Sequence, residues 1–296
     1  MTTTALALLN QPSADAPPHR EGAAPWELVD PDAPHVRILD LGVTRGDGVF
    51  ETISVGAGRP QALVAHLKRL ARSAASLELP TPDLEAWEGA VRAAADAIDP
   101  VPEAYVKTVL TRGVEGDGRP TGWAYAAPAD DFRSARRDGI RVVMLDRGYR
   151  HDVAQTSPWL LQGAKSLSYA VNRAVIREAK RRNADDVVFV SSDGYLLEGS
   201  TSNLLLRVGN TLVTPGTHLG ILPGTTQGDL FAFAAQRGLD TDYALLRAED
   251  LHSADAAWLV SSVRHAAPIR QVDGVDRGID SEFTTALNAY LVGRTE

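Results

Sequence analysis

The sequence predicts a mixed α+β protein in two sections, each with its own sheet. Three observations predict this class. Residues 63–77 carry apolar side chains at a 3.6-residue spacing, which is typical of an amphipathic helix. Residues 186–214 alternate short apolar runs with the turns Asp193-Gly194 and Gly209-Asn210, which is typical of antiparallel hairpins. Residues 146–158 show little periodicity, so we expect the two sections to meet there.

The first section follows a stretch rich in Ala, Pro, Asp and Ser. This composition cannot offset the entropy lost on ordering, so we expect residues 1–28 to form a flexible tail. An N-terminal α/β domain is then predicted over 29–150. Its predicted elements are a strand over 48–55, helices over 63–77 and 84–98, a Gly-rich polar loop over 113–122, and strands over 104–111 and 141–145.

The second section is predicted to span 151–296 and to contain a run of hairpins between helices. Its helix near 226 begins at Pro223-Gly224-Thr225-Thr226, a combination typical of a helix N-terminus. The predicted elements are helices over 168–182, 226–238 and 281–292, and strands over 186–191, 195–198, 203–208, 211–214 and 256–260.

Charge and composition exclude several classes of function. The 296 residues include 30 Lys and Arg against 38 Asp and Glu, a formal net charge of −8, which argues against general binding to nucleic acid or anionic membrane. An anionic substrate must therefore be bound by a local cationic pocket. The chain has no cysteine, which excludes disulfides, thiolate nucleophiles, iron–sulfur clusters and Cys-ligated zinc.

Metal and membrane functions are not expected either. The seven histidines form no recognisable ligand spacing, so no metal site is predicted. No apolar run approaches the roughly 18 residues that a membrane span needs. The first residues lack the basic leader of a secretory signal. We therefore expect a soluble cytoplasmic protein.

Four separated features could carry chemistry. Lys165 precedes a predicted helix, Glu198 ends an apolar strand in Glu198-Gly-Ser-Thr-Ser-Asn203, and Ser262 follows the strand 256–260. The fourth, Thr225-Thr226, brings hydroxyls and backbone N–H groups together at a helix N-terminus, which can bind an anion such as phosphate. Three of them have an ordinary alternative when taken alone: a solvated end charge for Lys165, a turn at Glu198 and a threonine cap at Thr225-Thr226.

Together the four features match the needs of one cofactor, pyridoxal 5′-phosphate. A lysine can form a Schiff base with its aldehyde, and a carboxylate can keep its pyridine nitrogen protonated. A helix N-terminus with nearby hydroxyls can bind its phosphate. No other cofactor is expected.

The order of these motifs resembles that of the class-IV pyridoxal-phosphate enzymes. The resemblance begins near Asp40, includes Arg69 in His66-Leu-Lys-Arg69-Leu, and ends near Arg270. The family includes branched-chain aminotransferases, D-amino-acid aminotransferases and aminodeoxychorismate lyases. The resemblance implies Lys165 as the Schiff-base lysine, Glu198 as the partner of the ring nitrogen, a phosphate cup of Arg69, Thr225, Thr226 and Ser262, and Tyr169 near the ring oxygen.

The resemblance also implies a fold and an assembly. The fold would be that of D-amino-acid aminotransferase, with a smaller N-terminal α/β domain and a larger C-terminal domain with a barrel-like sheet. The cofactor would lie between the domains, anchored by the second. Relatives are homodimers, so a homodimer is expected.

Sequence differences separate the subgroups of the family. Branched-chain aminotransferases typically carry Tyr-x-Arg where this chain has Tyr105-Val-Lys107, and D-amino-acid aminotransferases carry Arg-x-His where it has Arg119-Pro-Thr121. The region Lys107 to Gly113 resembles the lyase subgroup instead. Aminodeoxychorismate has two carboxylates, so Arg45, Lys107 and Arg119 are the expected substrate-binding residues.

The function implied by the resemblance is conversion of 4-amino-4-deoxychorismate to p-aminobenzoate and pyruvate, a step of folate biosynthesis. Lys165 would act as the general base. One alternative is a class-IV aminotransferase for D-amino or branched-chain amino acids, which would use the same cofactor residues. A remote alternative is a pyridoxal-phosphate-binding protein without catalysis, which would need neither Lys165 nor Glu198.

Overall fold

The structure, a computed structural model, describes residues 3–294 and divides the chain into two compact units. Unit 1 comprises the chain up to Asp130, together with Ala164–Tyr169 and Arg294. Unit 2 comprises Asp131–Gly163 and Ala170–Gly293. Among the residues described, none of the helices is both long and apolar enough to span a bilayer.

Unit 1 is an antiparallel sheet with helices on one face. Its elements are β1 (Ala5–Leu9), β2 (Trp26–Val29), α1 (Leu41–Thr44), β3 (Gly48–Gly56), β4 (Arg59–Pro60), α2 (Leu63–Ser76), α3 (Leu84–Asp96), β5 (Glu103–Thr111) and β6 (Thr121–Pro128). The strand order is β2-β1-β6-β5-β3-β4. The predicted strand at 48–55 and the helices at 63–77 and 84–98 are present with nearly the predicted bounds.

Alternation along β3 divides its side chains between the two faces of the sheet. Val49 and Ile53 join the apolar core that α2 and α3 cover, with Leu67, Leu70 and Trp87. Because successive strand residues point to opposite faces, Phe50 lies on the other side of the sheet. β3 therefore has one face for the core and one on which functional groups can collect.

Two features of unit 1 differ from the sequence-based expectation. The expected tail over 1–28 contains β1 and β2, and Ala5, Ala7 and Leu9 are buried in the core. The apolar run Ala5–Leu9 pairs with β6, which compensates the entropy of ordering; residues 1 and 2 lie outside the described residues. The polar loop expected over 113–122 ends earlier, because β6 begins at Thr121.

Besides two short 3-10 helices at Pro158–Leu160 and Thr217–Leu219, unit 2 contains the remaining α-helices and strands. They are α4 (Arg133–Asp138), β7 (Ile140–Asp146), α5 (Val153–Thr156), α6 (Ala170–Arg181), β8 (Asp186–Val190), β9 (Leu196–Gly199), β10 (Asn203–Val208), β11 (Thr211–Pro215), α7 (Thr225–Gln236), β12 (Asp240–Ala244), α8 (Ala248–Ser253), β13 (Ala256–Ser261), β14 (His265–Val272), β15 (Val275–Asp276) and α9 (Ser281–Val292). The sequence predicted the hairpin strands and the helices α6, α7 and α9, but not β12 or β14.

The sheet of unit 2 curls back on itself. Its strand order is β12-β11-β10-β13-β14-β7-β8-β9, with β15 beside β14. The last strand, β9, turns directly into β10, and Gly199 N donates to Ser202 O at 2.7 Å. The curled sheet confirms the barrel-like sheet that was expected for the second domain.

The division between the units differs from the expected boundary at 150. The strand predicted over 141–145 lies in unit 2, because β7 pairs in parallel with β8 and β14. Conversely, Ala164–Tyr169 joins unit 1 although it follows the expected boundary. Both assignments depend on which strand pairs with which, and periodicity along the chain does not contain that information.

Candidate active site

The segment that carries Lys165 lies along the first half of β3. Phe50 N donates to Lys165 O at 3.0 Å, and Leu167 N donates to Gly48 O at 2.8 Å. Lys165 N also donates to Ser73 Oγ of α2 at 3.1 Å. The backbone of Lys165 is therefore fixed on both sides within unit 1, although the residue is distant in sequence from both partners.

The side chain of Lys165 lies against an aromatic ring. Its Nζ is 4.5 Å from the centroid of the Phe50 ring, and Tyr169 packs edge-on against the same ring at 5.2 Å between centroids. Lys107 of β5 approaches from the neighbouring strand, with Nζ 5.5 Å from the Phe50 centroid. Partial burial lowers the pKa of Lys107. Two amines and a phenol-bearing ring thus surround Phe50, which the sequence had not indicated.

The chain has four lysines, and their surroundings distinguish them. Lys68 and Lys180 are exposed on helices α2 and α6. Lys165 and Lys107 are half-buried against Phe50. A lysine that reacts as an amine needs partial desolvation, so these two are the chemically suitable ones.

Glu198 lies at the end of β9 in unit 2, where its carboxylate is held by two donors. Asn203 Nδ2 donates to Glu198 Oε2 at 3.3 Å, and the Leu222 backbone N donates to the same oxygen at 3.2 Å. Asn203 Nδ2 also donates to Leu222 O at 2.7 Å. Asn203, which received no role from the sequence, therefore ties Glu198 to the segment before α7. A carboxylate fixed in this way is suited to hold a protonated ring nitrogen.

The N-terminus of α7 forms a small cradle. Its N-cap residue, Gly224, has no side chain that could cap the helix, and Thr225 and Thr226 begin the first turn. A Cβ at position 224 would collide with Asn203 Oδ1, so the close approach requires glycine. The N-cap position therefore supplies no capping side chain of its own, and the backbone N–H groups of the first turn favour an anion.

Ser262 lies beside this cradle. β10 and β13 pair with Asn203 opposite Val260, which brings the turn after β13 to the same end of the sheet as α7. Ser262 Oγ lies 3.4 Å from Thr226 Oγ1. Arg264, two residues later, binds Asp186 at 2.7 Å and Ser202 Oγ at 3.2 Å, and so ties this turn to the turn that follows Glu198. Glu198, Thr225, Thr226 and Ser262 are thus brought together within unit 2.

Arg69 occupies a buried position in α2 of unit 1. Its guanidinium binds the carboxylate of Glu51 through two hydrogen bonds of 2.7 Å, from Nε and Nη2. The sequence had not indicated this partner. Alternation along β3 places Glu51 on the same face as Val49 and Ile53, but the sequence alone does not show that α2 covers that face.

The other two expected substrate residues lie in exposed parts of unit 1. Arg45 follows α1 and lines a pocket of about 960 Å³ together with Asp47 and Arg112. The adjacent Gly46 O accepts from Ser168 Oγ at 3.5 Å, so the Arg45 turn contacts the Lys165 segment. Arg119 is exposed in the loop between β5 and β6.

The family model for Amino-transferase class IV matches residues 48–272, most of the chain. The chain belongs to this family. Its α+β fold and its cofactor, pyridoxal phosphate, are those expected from the sequence. This class-IV chain is therefore a pyridoxal-phosphate-dependent enzyme of the aminotransferase and lyase group.

Known proteins resemble this class-IV chain over nearly its whole length. A bifunctional aminodeoxychorismate lyase / D-amino acid transaminase of Mycobacterium tuberculosis is 43% identical over 258 residues, covering 84% of this chain and 89% of that protein. The structure of CpuTA1, a fold IV-transaminase from Curtobacterium pusillum, has 53% identity and a TM-score of 0.93 and covers 98% of both chains. A hypothetical aminotransferase from Mycobacterium tuberculosis in its PLP-bound form has 38% identity and a TM-score of 0.88, covering 98% of this chain and 99% of that one.

The residues of the class-IV chain fit the chemical groups of pyridoxal phosphate. The first turn of α7 offers backbone N–H groups that favour an anion, and the hydroxyls of Thr226 and Ser262 are close enough to serve one ligand. Glu198 offers a carboxylate that backbone and amide donors orient. Lys165 offers an amine against an apolar ring.

Proposed function

We propose that the enzyme converts 4-amino-4-deoxychorismate to p-aminobenzoate and pyruvate. The observation that carries this proposal is the position of Lys107, whose ammonium lies over the same Phe50 ring as that of Lys165. Lys107 Nζ is 5.5 Å and Lys165 Nζ is 4.5 Å from the centroid of the Phe50 ring, and the distance between the two nitrogens cannot exceed the sum of these values. A substrate amine at Lys165 would therefore have a cation within reach of a ring-bound carboxylate.

Lys107 is suited to a carboxylate because it is half-buried. Burial lowers the pKa of its ammonium, and a carboxylate would offset that effect by favouring the charged form. We assign one substrate carboxylate to Lys107, and the second to Arg45 or Arg119, both exposed arginines of unit 1. Since the net charge of the chain is −8, local cations must supply the attraction for an anionic substrate.

The proposed residue roles follow from the groups that each side chain offers. Bound pyridoxal phosphate supplies the electron sink that stabilises negative charge at a carbon that loses its proton. Lys165, released by the substrate amine, removes the proton from the amine-bearing ring carbon. Glu198 holds a proton on the pyridine nitrogen, and Asn203 keeps the Glu198 carboxylate in place.

The overall reaction conserves all atoms of the substrate. One C–H bond at the amine-bearing carbon and the ether bond to the enolpyruvyl group break. The ring becomes aromatic, and the enolpyruvyl group takes up a proton and leaves as pyruvate. No external oxidant or reductant is required, and the aromatic product provides the driving force.

A second candidate function is transamination of D-amino acids. It is favoured by the name of the relative with 43% identity, which joins the lyase and the D-amino acid transaminase activities, and by the similarity to a fold IV-transaminase. The proposed roles of Lys165, Glu198 and the phosphate cup are the same in both reactions. The substrate residues alone distinguish the two functions.

The enzyme is also proposed to act as a homodimer. The segment before α1 supports this proposal, since Ile38 is 82% exposed and Leu39 is 66% exposed in unit 1. Large apolar side chains at neighbouring positions are costly to leave in water and suit a second copy of the chain. Sedimentation at several protein concentrations would test the proposal, and a monomer at all of them would contradict it.

The function is tested by incubating the cofactor-loaded enzyme with 4-amino-4-deoxychorismate and measuring p-aminobenzoate and pyruvate together. We expect equal amounts of both products over many turnovers. Lys165→Ala should abolish them, whereas Lys180→Ala, which removes an exposed lysine, should not. Keto-acid formation from D-amino donors without p-aminobenzoate would replace the lyase proposal by the transaminase one.

A further inference from the structure

Three ionisable side chains meet in the interior of unit 1. Glu51 comes from β3, and His66 and Arg69 come from successive positions along one side of α2. Glu51 and His66 are fully buried, and Arg69 is 5% exposed. α2 packs across the face of β3 that bears Glu51, so the three meet because of the alternation of the strand and the pitch of the helix.

Hydrogen bonds define the orientation of this cluster. Arg69 donates from Nε to Glu51 Oε1 and from Nη2 to Glu51 Oε2, each at 2.7 Å. His66 Nδ1 lies 2.7 Å from Glu51 Oε2. A carboxylate that accepts two parallel hydrogen bonds from a guanidinium fixes both the plane and the direction of the guanidinium.

The charge states follow from the surroundings. Burial acts to raise the pKa of the Glu51 carboxyl, but the Arg69 guanidinium and the bonds from Arg69 and His66 outweigh it and hold that pKa well below its usual range. Burial lowers the pKa of His66 and outweighs the attraction of Glu51. A neutral His66 that donates from Nδ1 to an ionised Glu51 therefore completes the cluster.

Stability alone does not explain this arrangement. Buried ion pairs add little net stability compared with apolar side chains of the same volume, because both charges must be desolvated. A buried guanidinium held in a fixed direction is, however, what recognition of a phosphate requires. Arg69 is also the residue assigned to the phosphate cup.

We propose that Glu51, supported by His66, is the positioning residue for Arg69 and sets the direction in which its guanidinium meets the cofactor phosphate, a role that rests on the proposed assignment of Arg69 to the cup. Glu51 acts here only through Arg69. Its contribution therefore concerns ligands that carry the phosphate and leaves the aldehyde and the ring unaffected.

The test compares two probes that differ only in that group, pyridoxal phosphate and pyridoxal. The full-length chain, freed of cofactor, is titrated with each probe, and the ratio of the two Kd values is determined. The ratio is compared between the variant and the natural chain, so the intrinsic difference in how the two aldehydes react with Lys165 cancels. We expect Glu51→Gln to lower the phosphate preference by about 10-fold, the typical effect of losing one charge-assisted pair.

The cluster supplies its own controls. In an Arg69→Met background, Glu51→Gln should change the ratio by less than about twofold, because the residue through which it acts is gone. His66→Leu, which removes one donor to Glu51 but leaves the Arg69 pair, should lower the ratio by at least about twofold. This variant serves the same test if Glu51→Gln does not fold.

Two results would overturn the proposal. Equal weakening of both probes by Glu51→Gln or His66→Leu would show that the cluster only maintains the fold. Unchanged affinity for both probes in either folded variant would show that Glu51 does not direct Arg69. If Arg69→Met alone leaves the ratio unchanged, the cup assignment fails, whereas the product assay for lyase activity is unaffected by that outcome.

Discussion

The amines of Lys107 and Lys165 approach one aromatic ring, that of Phe50, at 5.5 and 4.5 Å from its centroid. Phe50 is opposite Val109 in the pairing of β3 and β5, so Lys107 is its diagonal neighbour on the same face. The backbone bond from Phe50 N to Lys165 O brings the second lysine to the same place. One strand residue thus links the proposed reacting amine to the proposed carboxylate partner.

Lys107 is predicted to act on substrate binding and not on cofactor binding. Lys107→Ala should raise KM for aminodeoxychorismate by about 10- to 100-fold, since a charged hydrogen bond contributes about 1.5–3 kcal/mol. Steady-state kinetics would measure KM, with the natural and variant enzymes adjusted to the same bound cofactor by its absorbance. Lys180→Ala, which removes an exposed lysine, is the control. An unchanged KM would remove Lys107 from the substrate site.

Arg119 is predicted to contribute a second carboxylate contact from its exposed loop. Arg119→Ala should lower kcat/KM by about 10-fold while the enzyme retains its cofactor. The matched control is Arg137→Ala, which removes an exposed arginine of α4 that pairs with its neighbour Asp138. Identical kinetics for the two variants would assign Arg119 to the surface and leave Arg45 as the remaining candidate.

Asn203 is predicted to be essential for the environment of Glu198. Asn203→Ala removes the donor shared by Glu198 Oε2 and Leu222 O, and it should lower the free energy of unfolding by about 1–3 kcal/mol. Urea denaturation would measure the change. Asn210→Ala, in an exposed turn where the side chain donates to Gly238 O, should have a smaller effect. Equal effects would contradict the role of Asn203.

His66 is predicted to make the stability depend on pH. Its pKa is lower in the folded chain than in the unfolded one, so the unfolded state binds the extra proton as the pH falls below about 6.5. The free energy of unfolding should therefore fall on acidification in that range, by up to about 1.4 kcal/mol per pH unit. Glu51, whose pKa is also depressed, adds a loss in the same direction at lower pH.

The measurement for His66 is a series of urea denaturations between pH 7 and pH 5. His66→Asn keeps an amide donor towards Glu51 but cannot take up a proton in this range. It should be less sensitive to pH than the natural chain. Parallel curves for the two proteins would show that His66 does not carry the linkage.

β1 is predicted to be a stabilising part of unit 1. Leu9 is 3% exposed, so Leu9→Ala should lower the free energy of unfolding by about 2–4 kcal/mol. Leu28 of β2 is 50% exposed, and Leu28→Ala should change it by about 0.5 kcal/mol or less. Similar small changes for both variants, measured by urea denaturation, would support the flexible tail expected from composition.

The local elements could be predicted from the sequence, whereas several of their partners could not. The apolar stripe of α2 and the turn Asp193-Gly194 act over a few residues, so periodicity and turn chemistry indicate them directly. β7 belongs to unit 2 because it pairs with β8 and β14. The sequence of β7 indicates a strand but not the strands with which it pairs. The average composition of residues 1–28 predicts a flexible tail, although the apolar run Ala5–Leu9 within it forms β1.

The candidate site shows the same division. Lys165 and Glu198 could be proposed because their functional groups suit the cofactor and because they stand in the order of motifs that is typical of the class-IV family. Phe50 and Glu51 could not, since their roles depend on which strand and helix lie beside β3. Asn203 stood in a recognised motif, but its bond to Glu198 depends on the turn between β9 and β10.

Lys165 is the residue on which the proposed chemistry depends most, and four lysines make its assignment directly testable. The cofactor-loaded enzyme would be treated with borohydride, which fixes the cofactor to the lysine that holds it, and the labelled peptide would be identified by mass spectrometry. We predict the label on Lys165 alone. A label on Lys107, the other lysine at the Phe50 ring, or on Lys68 or Lys180 would contradict the assignment.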